Sequence, residues 1–361
     1  MNDVMISRID KTGGRDLEAF LQFPMELYSD RRMTRYNILK TRKMVAGPGD
    51  FDLYLARNGA DRVVGRMVLG SNPLLLDEKG VPYGCAGLFD VVEDYEVFRR
   101  MLDYARNYFR DRNHLLFPFF KATWYPYRFA VRGREKLDYF MEYPDREYYG
   151  DFTRRYGVEE SYLYRSRLNY DMDGNIEKNR SAYEKALAGG ITFRSLDKTR
   201  PREEMRIIYD LTVENFQESL FYTDISFEEF YSLYEGILSL LDARFMTFAF
   251  DDRGEPVGYG FTTPDFTPLL RRYDTTRLWG KLLFYLNRHR FDGIIPKTAA
   301  VRTSYRQMGI FGAIYYLHNV LARELGCRYI LGGYVYIGNV TYKVMTGETQ
   351  DKEYELYKIR V

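Results

Sequence analysis

Two stretches almost two hundred residues apart carry the same short pattern, and that duplication limits the fold more than any other feature of the chain. LYLARNGADRVVGRMVLGSNP (53–73) is a pair of β-rich runs around a Gly/Asn/Asp turn with a Val-Gly step after it, and FMTFAFDDRGEPVGYGFTTPD (245–265) repeats it. The glycines of the two Val-Gly steps, Gly65 and Gly258, are 193 residues apart (258 − 65). A second pair follows. YYGDFTRRYGVEESYLYRSRL (148–168) and VTYKVMTGETQDKEYELYKIRV (340–361) each read as a short helix, a glycine stop and a Tyr-rich strand, and Gly157 and Gly347 are 190 apart (347 − 157). Two markers at nearly one offset predict two copies of one domain, over 1–170 and 190–361. The tract between them, 171–189, reads as a linker because DMDGNIEKN (171–179) is rich in turn residues.

Between the markers, each copy has a helical pattern and then an apolar strand. The first helix spans 94–112, with Val97, Met101, Leu102, Ala105 and Phe109 at helical spacing, before HLLFPFF. The second runs over 311–325, with Ile314, Leu317, Leu321 and Leu325 on one side, before RYILGGYVYI. Hairpin, helix, strand, helix, strand is an α+β order, and it predicts two tandem domains, each a mixed twisted sheet flanked by helices.

Composition excludes several classes. A chain of 361 residues with 45% hydrophobic content can bury two cores. Lys and Arg number 53 against 51 Asp and Glu, so no basic footprint for nucleic acid exists. Cys85 and Cys327 make neither a disulfide framework nor a C-x-x-C zinc pair. His114, His289 and His318 have no second ligand at metal spacing, so no metal is expected. Charges at Asp3 and Arg8 break any signal-like start, and no apolar run has membrane length. The expectation is a cytoplasmic protein with no membrane partner.

Chemistry concentrates after the strand at Ala299–Thr303. Arg306-Gln307-Met308-Gly309-Ile310-Phe311-Gly312 leads into a helix, and a loop that presents backbone N–H groups at a helix start cradles phosphate oxygens. The helix dipole adds positive potential there, and Arg306 adds a forked donor. The first copy has instead Asp90, Glu93, Asp94 and Glu96, read as an N-cap and a solvated first turn that would repel a diphosphate.

With SYRQMGIFG, LARNGADRVVGR, CAGLFDVVEDYEVFRRML and AFDDRGEPVGYGFTTPD, the chain resembles a bacterial family of tandem GNAT N-acyltransferases. The resemblance implies acetyl-CoA or another acyl-CoA as co-substrate and a small-molecule or peptide amine as acceptor. Arg306, Gln307 and Gly309 fit the superfamily's pyrophosphate loop, whereas Phe311 replaces its small residue and Gly312 comes one place late. By the same resemblance, amides from Gln307 through Met308, Gly309, Ile310 and Phe311 to Gly312 hold the diphosphate. The strand carrying Val301 and Thr303 pairs with the pantetheine arm, and Asn339 contacts that arm or caps the next helix. The superfamily's tyrosine acid has no counterpart, since Thr346 stands in its place, Tyr342 is a turn too early and Gly347 ends the helix. Tyr336 is the replacement candidate. Asp265 and Glu214 are base candidates, each readable also as a turn residue or a helix-face charge. The first copy is expected to be degenerate for CoA. Residues 118–143 and 264–295 read as aromatic and basic insertions sealing a seam between the copies. Two alternatives remain: a catalytically silent acyl-CoA-binding scaffold, supported by Phe311 and the missing tyrosine, and a Fem-like aminoacyl-tRNA-dependent transferase, which shares paired GNAT-like domains but calls for a basic face that the charge count does not supply.

Overall fold

The computed structural model describes residues 4–47, 49–135, 140–338 and 348–361. Among them the chain forms strands β1 (Met5–Ile9), β2 (Phe51–Arg57), β3 (Val63–Leu76), β4 (Pro82–Val91), β5 (His114–Phe117), β6 (Phe129–Arg132), β7 (Glu160–Asn169), β8 (Thr192–Ser195), β9 (Met246–Phe250), β10 (Pro256–Pro264), β11 (Gly293–Val301), β12 (Tyr329–Tyr336) and β13 (Thr349–Arg360). The helices are α1 (Arg15–Gln22), α2 (Pro24–Leu27), α3 (Arg31–Ala46), α4 (Tyr95–Tyr108), α5 (Tyr148–Tyr156), α6 (Met172–Ala188), α7 (Pro201–Phe216), α8 (Phe227–Leu238), α9 (Thr267–Arg272), α10 (Leu278–Asn287) and α11 (Ile310–Glu324).

All the strands join one mixed sheet in the order β1-β2-β3-β4-β5-β13-β7-β12-β11-β10-β9-β8, with β6 paired to β13. Read from either end inward, the order is the same pattern twice. The repeated Val-Gly steps occupy matching registers, Gly65 opposite Val91 and Gly258 opposite Val301. A helix lies closely against both: an added Cβ on Gly65 would strike the side chain of Met101 in α4, and one on Gly258 would stand 3.1 Å from that of Ile310 in α11.

The innermost strands are exchanged. β13, last in the chain, pairs with β5 of the first copy, whereas β7, last in the first copy, pairs with β12 of the second. β7 and β13 also pair with each other through ten residues, from Thr349↔Asn169 to Lys358↔Glu160.

Helix α4 forms as its periodicity predicts. Asp94 caps it by accepting from the amides of Glu96 and Val97, and Val97, Met101, Leu102 and Ala105 are buried on the sheet. The expected strand HLLFPFF stops at Phe117, because Pro118 lacks a ladder donor. The turn-rich tract read as linker is the start of helix α6, capped by Asp171 accepting from Gly174 N–H and buried at Met172, Asn175, Ile176 and Asn179. A good cap outweighs the poor local propensity of Asp, Gly and Asn once a face is covered. Helix α11 corrects the expected stripe: Ile310, Ile314, His318 and Leu321 are buried, with Tyr315, Asn319 and Ala322, while Leu325 is exposed. It is buried on two sides, by the sheet and by α6, so one apolar line could not describe it.

Candidate functional site

β11 and β12 run parallel but pair only at Gly293↔Tyr329 and Ile294↔Ile330, then diverge toward Val301 and Tyr336. Their divergence opens a wedge in the sheet. β11 also carries an extra residue there. Phe261 is opposite Thr298 and Thr262 opposite Pro296, so Lys297 is the bulged residue.

The wedge opens into a cavity of about 2330 Å³ whose wall includes Thr298–Val301, Gly332–Tyr336, Arg306, Phe311 and Tyr315 from the second half. Residues 123–128 and 140–143 and helix α3 of the first half complete it. The two aromatic insertions thus line a cavity between the halves. Helix α10 contributes Lys281, Leu282, Phe284 and Tyr285 to the wall, whereas its Leu278 and Trp279 stand outside it, 81% and 77% exposed.

The first half has the same wedge, and its own chain fills it. β4 and β5 pair only at Gly84↔Leu115 and Cys85↔Leu116. Beyond the last pair the chain stays against β4: Phe119 N–H donates to Ala86 C=O (2.7 Å), and Phe119 and Phe120 are buried. The fit is tight, since a Cβ on Gly87 would stand 2.5 Å from the Phe119 carbonyl oxygen. Asp90 corrects the reading of a solvated cap. It is buried, with its carboxylate 2.6 Å from Arg66 Nη2 and accepting from the hydroxyls of Tyr28 and Tyr149. Glu96 does sit in the solvated first turn, held well below the usual carboxylate range by the guanidiniums of Arg99 and Arg100.

The loop before α11 differs from an open cradle. β11 ends at Val301, Thr303–Met308 is a 3-10 turn, and Gly309 stands at φ +80° before the helix. Val301 is buried, Thr303, Arg306 and Gln307 are exposed, and Met308, Gly309 and Phe311 are half-buried. Arg306 and Phe311 reach the cavity. The glycines turn the other way. A Cβ on Gly309 would lie 2.6 Å from the Ala182 carbonyl oxygen, and one on Gly312 would lie 2.7 Å from the Ala182 Cβ, so both are required by contact with α6. Ile310 is buried under the same helix start. The amides of the first turn have no partner within the helix, as at any helix start.

The acid and base candidates are scattered. Tyr336 is 36% exposed at the cavity wall with its ring 5.6 Å from that of Tyr164. Asp265 is buried outside the cavity, accepting from Thr267 N–H (2.9 Å) and from the Tyr329 hydroxyl (2.7 Å). Glu214 is exposed and pairs with Arg302 at 3.1 Å. Asn339 lies outside the described residues, as do Tyr342, Thr346 and Gly347. His318, absent from the apolar line expected of this helix, is buried between Thr247 and Thr262 (3.0 and 2.8 Å), and burial lowers it to about 3, which keeps it neutral. One group among the described residues, Asp77, Glu78 and His114, has metal-ligand spacing. Asp77 already accepts from Asn113 and from the amides of Lys79 and Val81.

Sequence reasoning missed three cavity cations and one hydroxyl. Among the described residues, Lys40 and Lys297 line the wall without a carboxylate partner, as does Arg128, whose guanidinium is stacked 3.8 Å from the Tyr127 ring centroid and 4.0 Å from that of Tyr334. The buried Tyr315 hydroxyl has no hydrogen-bond partner among the described residues. No sequence signal marked Lys40 or Tyr315, since each occupies an ordinary helix position. A basic residue between two strand-forming runs was the only trace of Lys297.

The sequence matches no protein-family model and no curated protein. Solved structures do match. A tandem GNAT protein from the clavulanic acid biosynthesis pathway aligns over 99% of this chain and 98% of its own, with a TM-score of 0.53 at 13% identity. A fungal multi-domain β-N-acetylglucosaminidase with a GCN5-related glucosamine N-acetyltransferase region aligns over 99% of this chain, also at TM-score 0.53 and 13% identity. This chain spans only 38% of that second protein. The chain therefore has a tandem GNAT-like fold. No helix among the described residues is long and apolar enough to cross a membrane.

Proposed function

We propose that the second half transfers an acyl group from a CoA thioester to an amine. What supports this reading is one contrast: the wedge between β11 and β12 opens into a cavity beside the start of α11, whereas the matching wedge between β4 and β5 is packed with Phe119 and Phe120. The pantetheine arm would enter the open wedge along Ala299–Val301 by strand-like pairing. The diphosphate would meet the unpaired amides of α11's first turn and Arg306. The amine nitrogen then attacks the thioester carbonyl, the C–S bond breaks, and the thiolate takes a proton. Tyr336 is the proposed donor, because its hydroxyl-bearing ring stands at the cavity wall. The acceptor's own proton leaves to water, since neither Asp265 nor Glu214 reaches the cavity.

Binding comes first in the test. CoA at a hundred times its dissociation constant adds about 2.7 kcal/mol to stability and raises the melting midpoint. Arg306→Ala should weaken CoA on the order of tenfold, or about 1.4 kcal/mol. An Arg306→Ala protein stabilised by CoA as strongly as the parent would show that the diphosphate sits elsewhere.

A further inference from the structure

The cavity wall holds charges of both signs, but they are not equivalent. Its acidic members are committed or outside. Glu142 pairs with Lys352 at 2.7 Å, Glu229 with Lys121 at 3.4 Å and Glu228 with Arg202, while Glu218 and Glu235 are exposed. Among the cations, Arg167 has Asp351 at 3.3 Å. Lys40 and Lys297 have no carboxylate at all among the described residues.

Their surroundings are aromatic and apolar. Lys297 Nζ lies 4.5 Å from the Tyr234 ring centroid and 3.3 Å from Met141 Sδ, and Lys40 Nζ lies 5.4 and 5.8 Å from the rings of Tyr36 and Tyr143. Ring faces and a thioether attract an ammonium weakly and leave its charge uncompensated. Burial lowers both amines to about 8, and the charge on Lys297 adds to the shift on Lys40. Two half-buried ammonium groups that bias each other's charge, with no counter-ion among the described residues, lower the stability of the fold. An anion placed between them would remove that cost.

Position adds to the case. Lys297 is the bulged residue of β11 beside the wedge, and Lys40 comes from α3 of the other half, so the pair draws on both halves. Arg128 adds a third cation with no carboxylate among the described residues, and its buried Nη1 has no hydrogen-bond partner among them.

We infer that Lys40 and Lys297 form an anion-binding subsite that takes the acidic group of the acceptor, so that the acceptor is an amine that also bears a carboxylate or a phosphate. The role of acceptor rests on the acyl-transfer reading above, whereas the anion subsite does not. Aromatic walls around the two lysines suit the carbon frame between the acidic group and the amine.

Titration calorimetry at pH 7 tests this with succinate and inorganic phosphate as probes, each against sodium chloride of equal ionic strength. One of the two should bind saturably with one site per chain, and which one binds tells carboxylate from phosphate recognition. Lys40→Met and Lys297→Met should each weaken that binding on the order of tenfold or more, because each removes one member of a desolvated charge contact. Neither variant should melt below the parent, since an apolar side chain of similar length replaces an unpaired charge; if one fails to fold, the other carries the test. At pH 8, binding should take up protons, seen as a dependence of heat on buffer, and Lys297→Met should reduce that uptake. Failure of both anions to bind, or unchanged affinity in both variants, overturns the inference. Succinate or phosphate binding in a protein that ignores CoA would leave the subsite standing and remove the acyl-transfer reading.

Discussion

Arg66 and Asp90 show how one pair of residues separates the two halves. The register that sets Gly65 opposite Val91 and Gly258 opposite Val301 puts Arg66 and Asp90 where the second half has Tyr259 and Ala300. Tyr259 is neutral there, its hydroxyl 2.6 Å from that of Thr212. The first half carries a buried ion pair instead, 1% and 4% exposed, with Arg66 also donating to Phe20 C=O at 2.8 Å. Removing one partner strands the other charge, so Asp90→Ala should cost about 3–5 kcal/mol. Replacing both with apolar groups strands no charge, although the hydroxyls of Tyr28 and Tyr149 and the Phe20 carbonyl each lose one partner. The double variant Arg66→Met/Asp90→Leu should therefore be more stable in urea than Asp90→Ala alone. A double variant less stable than the single one would mean that the pair contributes net attraction beyond its mutual compensation.

At the level of elements, helix α11 owes its shape to contacts on both sides. Asp173 of α6 pairs with Arg323 at 2.9 Å, and Ala182 meets Gly309 and Gly312, so the two helices run antiparallel with α6 ending beside the start of α11. Gly312→Ala should force the helices apart and cost about 1–3 kcal/mol, the usual range for overpacking. Ala182→Gly would make room for the new methyl. If the interface is the cause, the pair Gly312→Ala/Ala182→Gly will melt above the sum of the two single effects, whereas strict additivity would rule the contact out. These same residues mark how far the sequence could be read. Helices α4 and α11 were legible from spacing, and the hairpins from their Val-Gly steps, because those are local patterns. Gly309 and Gly312 drew attention as glycines before a helix, but what they make room for is α6, an element the turn-rich sequence of 171–179 concealed. Asp90 looked like a cap because its partner Arg66 is on another strand. Lys40 and Lys297 went unmarked because a cavity between halves is a property of packing, which no spacing records.

On the scale of the whole molecule, the exchange of β7 and β13 makes each half depend on the other. β13 supplies Tyr354, Leu356, Tyr357 and Ile359 to the interior, and Tyr357 and Ile359 pack in one cluster with Phe98 and Phe117 of the first half. β7 in turn closes the edge of β12, where Tyr164 is opposite Tyr336. A half expressed alone would expose an unpaired strand edge at β5 or β12, together with the apolar side chains that the borrowed strand covers. The continuous sheet predicts that the two halves unfold together although the chain is longer than most two-state proteins. Calorimetry should show a single transition whose van't Hoff and calorimetric enthalpies agree. Ending the chain before Thr349 should abolish hydrogen-exchange protection in β4 and β5 as well as in β11 and β12, even though β4 and β5 lie more than two hundred residues away in sequence. Two separable transitions, or a truncated chain that keeps first-half protection, would show that the exchanged strands are ornament on two independent domains. A single transition would mean that the cavity walls, drawn from α3 and residues 123–128 on one side and β11 and β12 on the other, are held in register by the same strands that hold the fold.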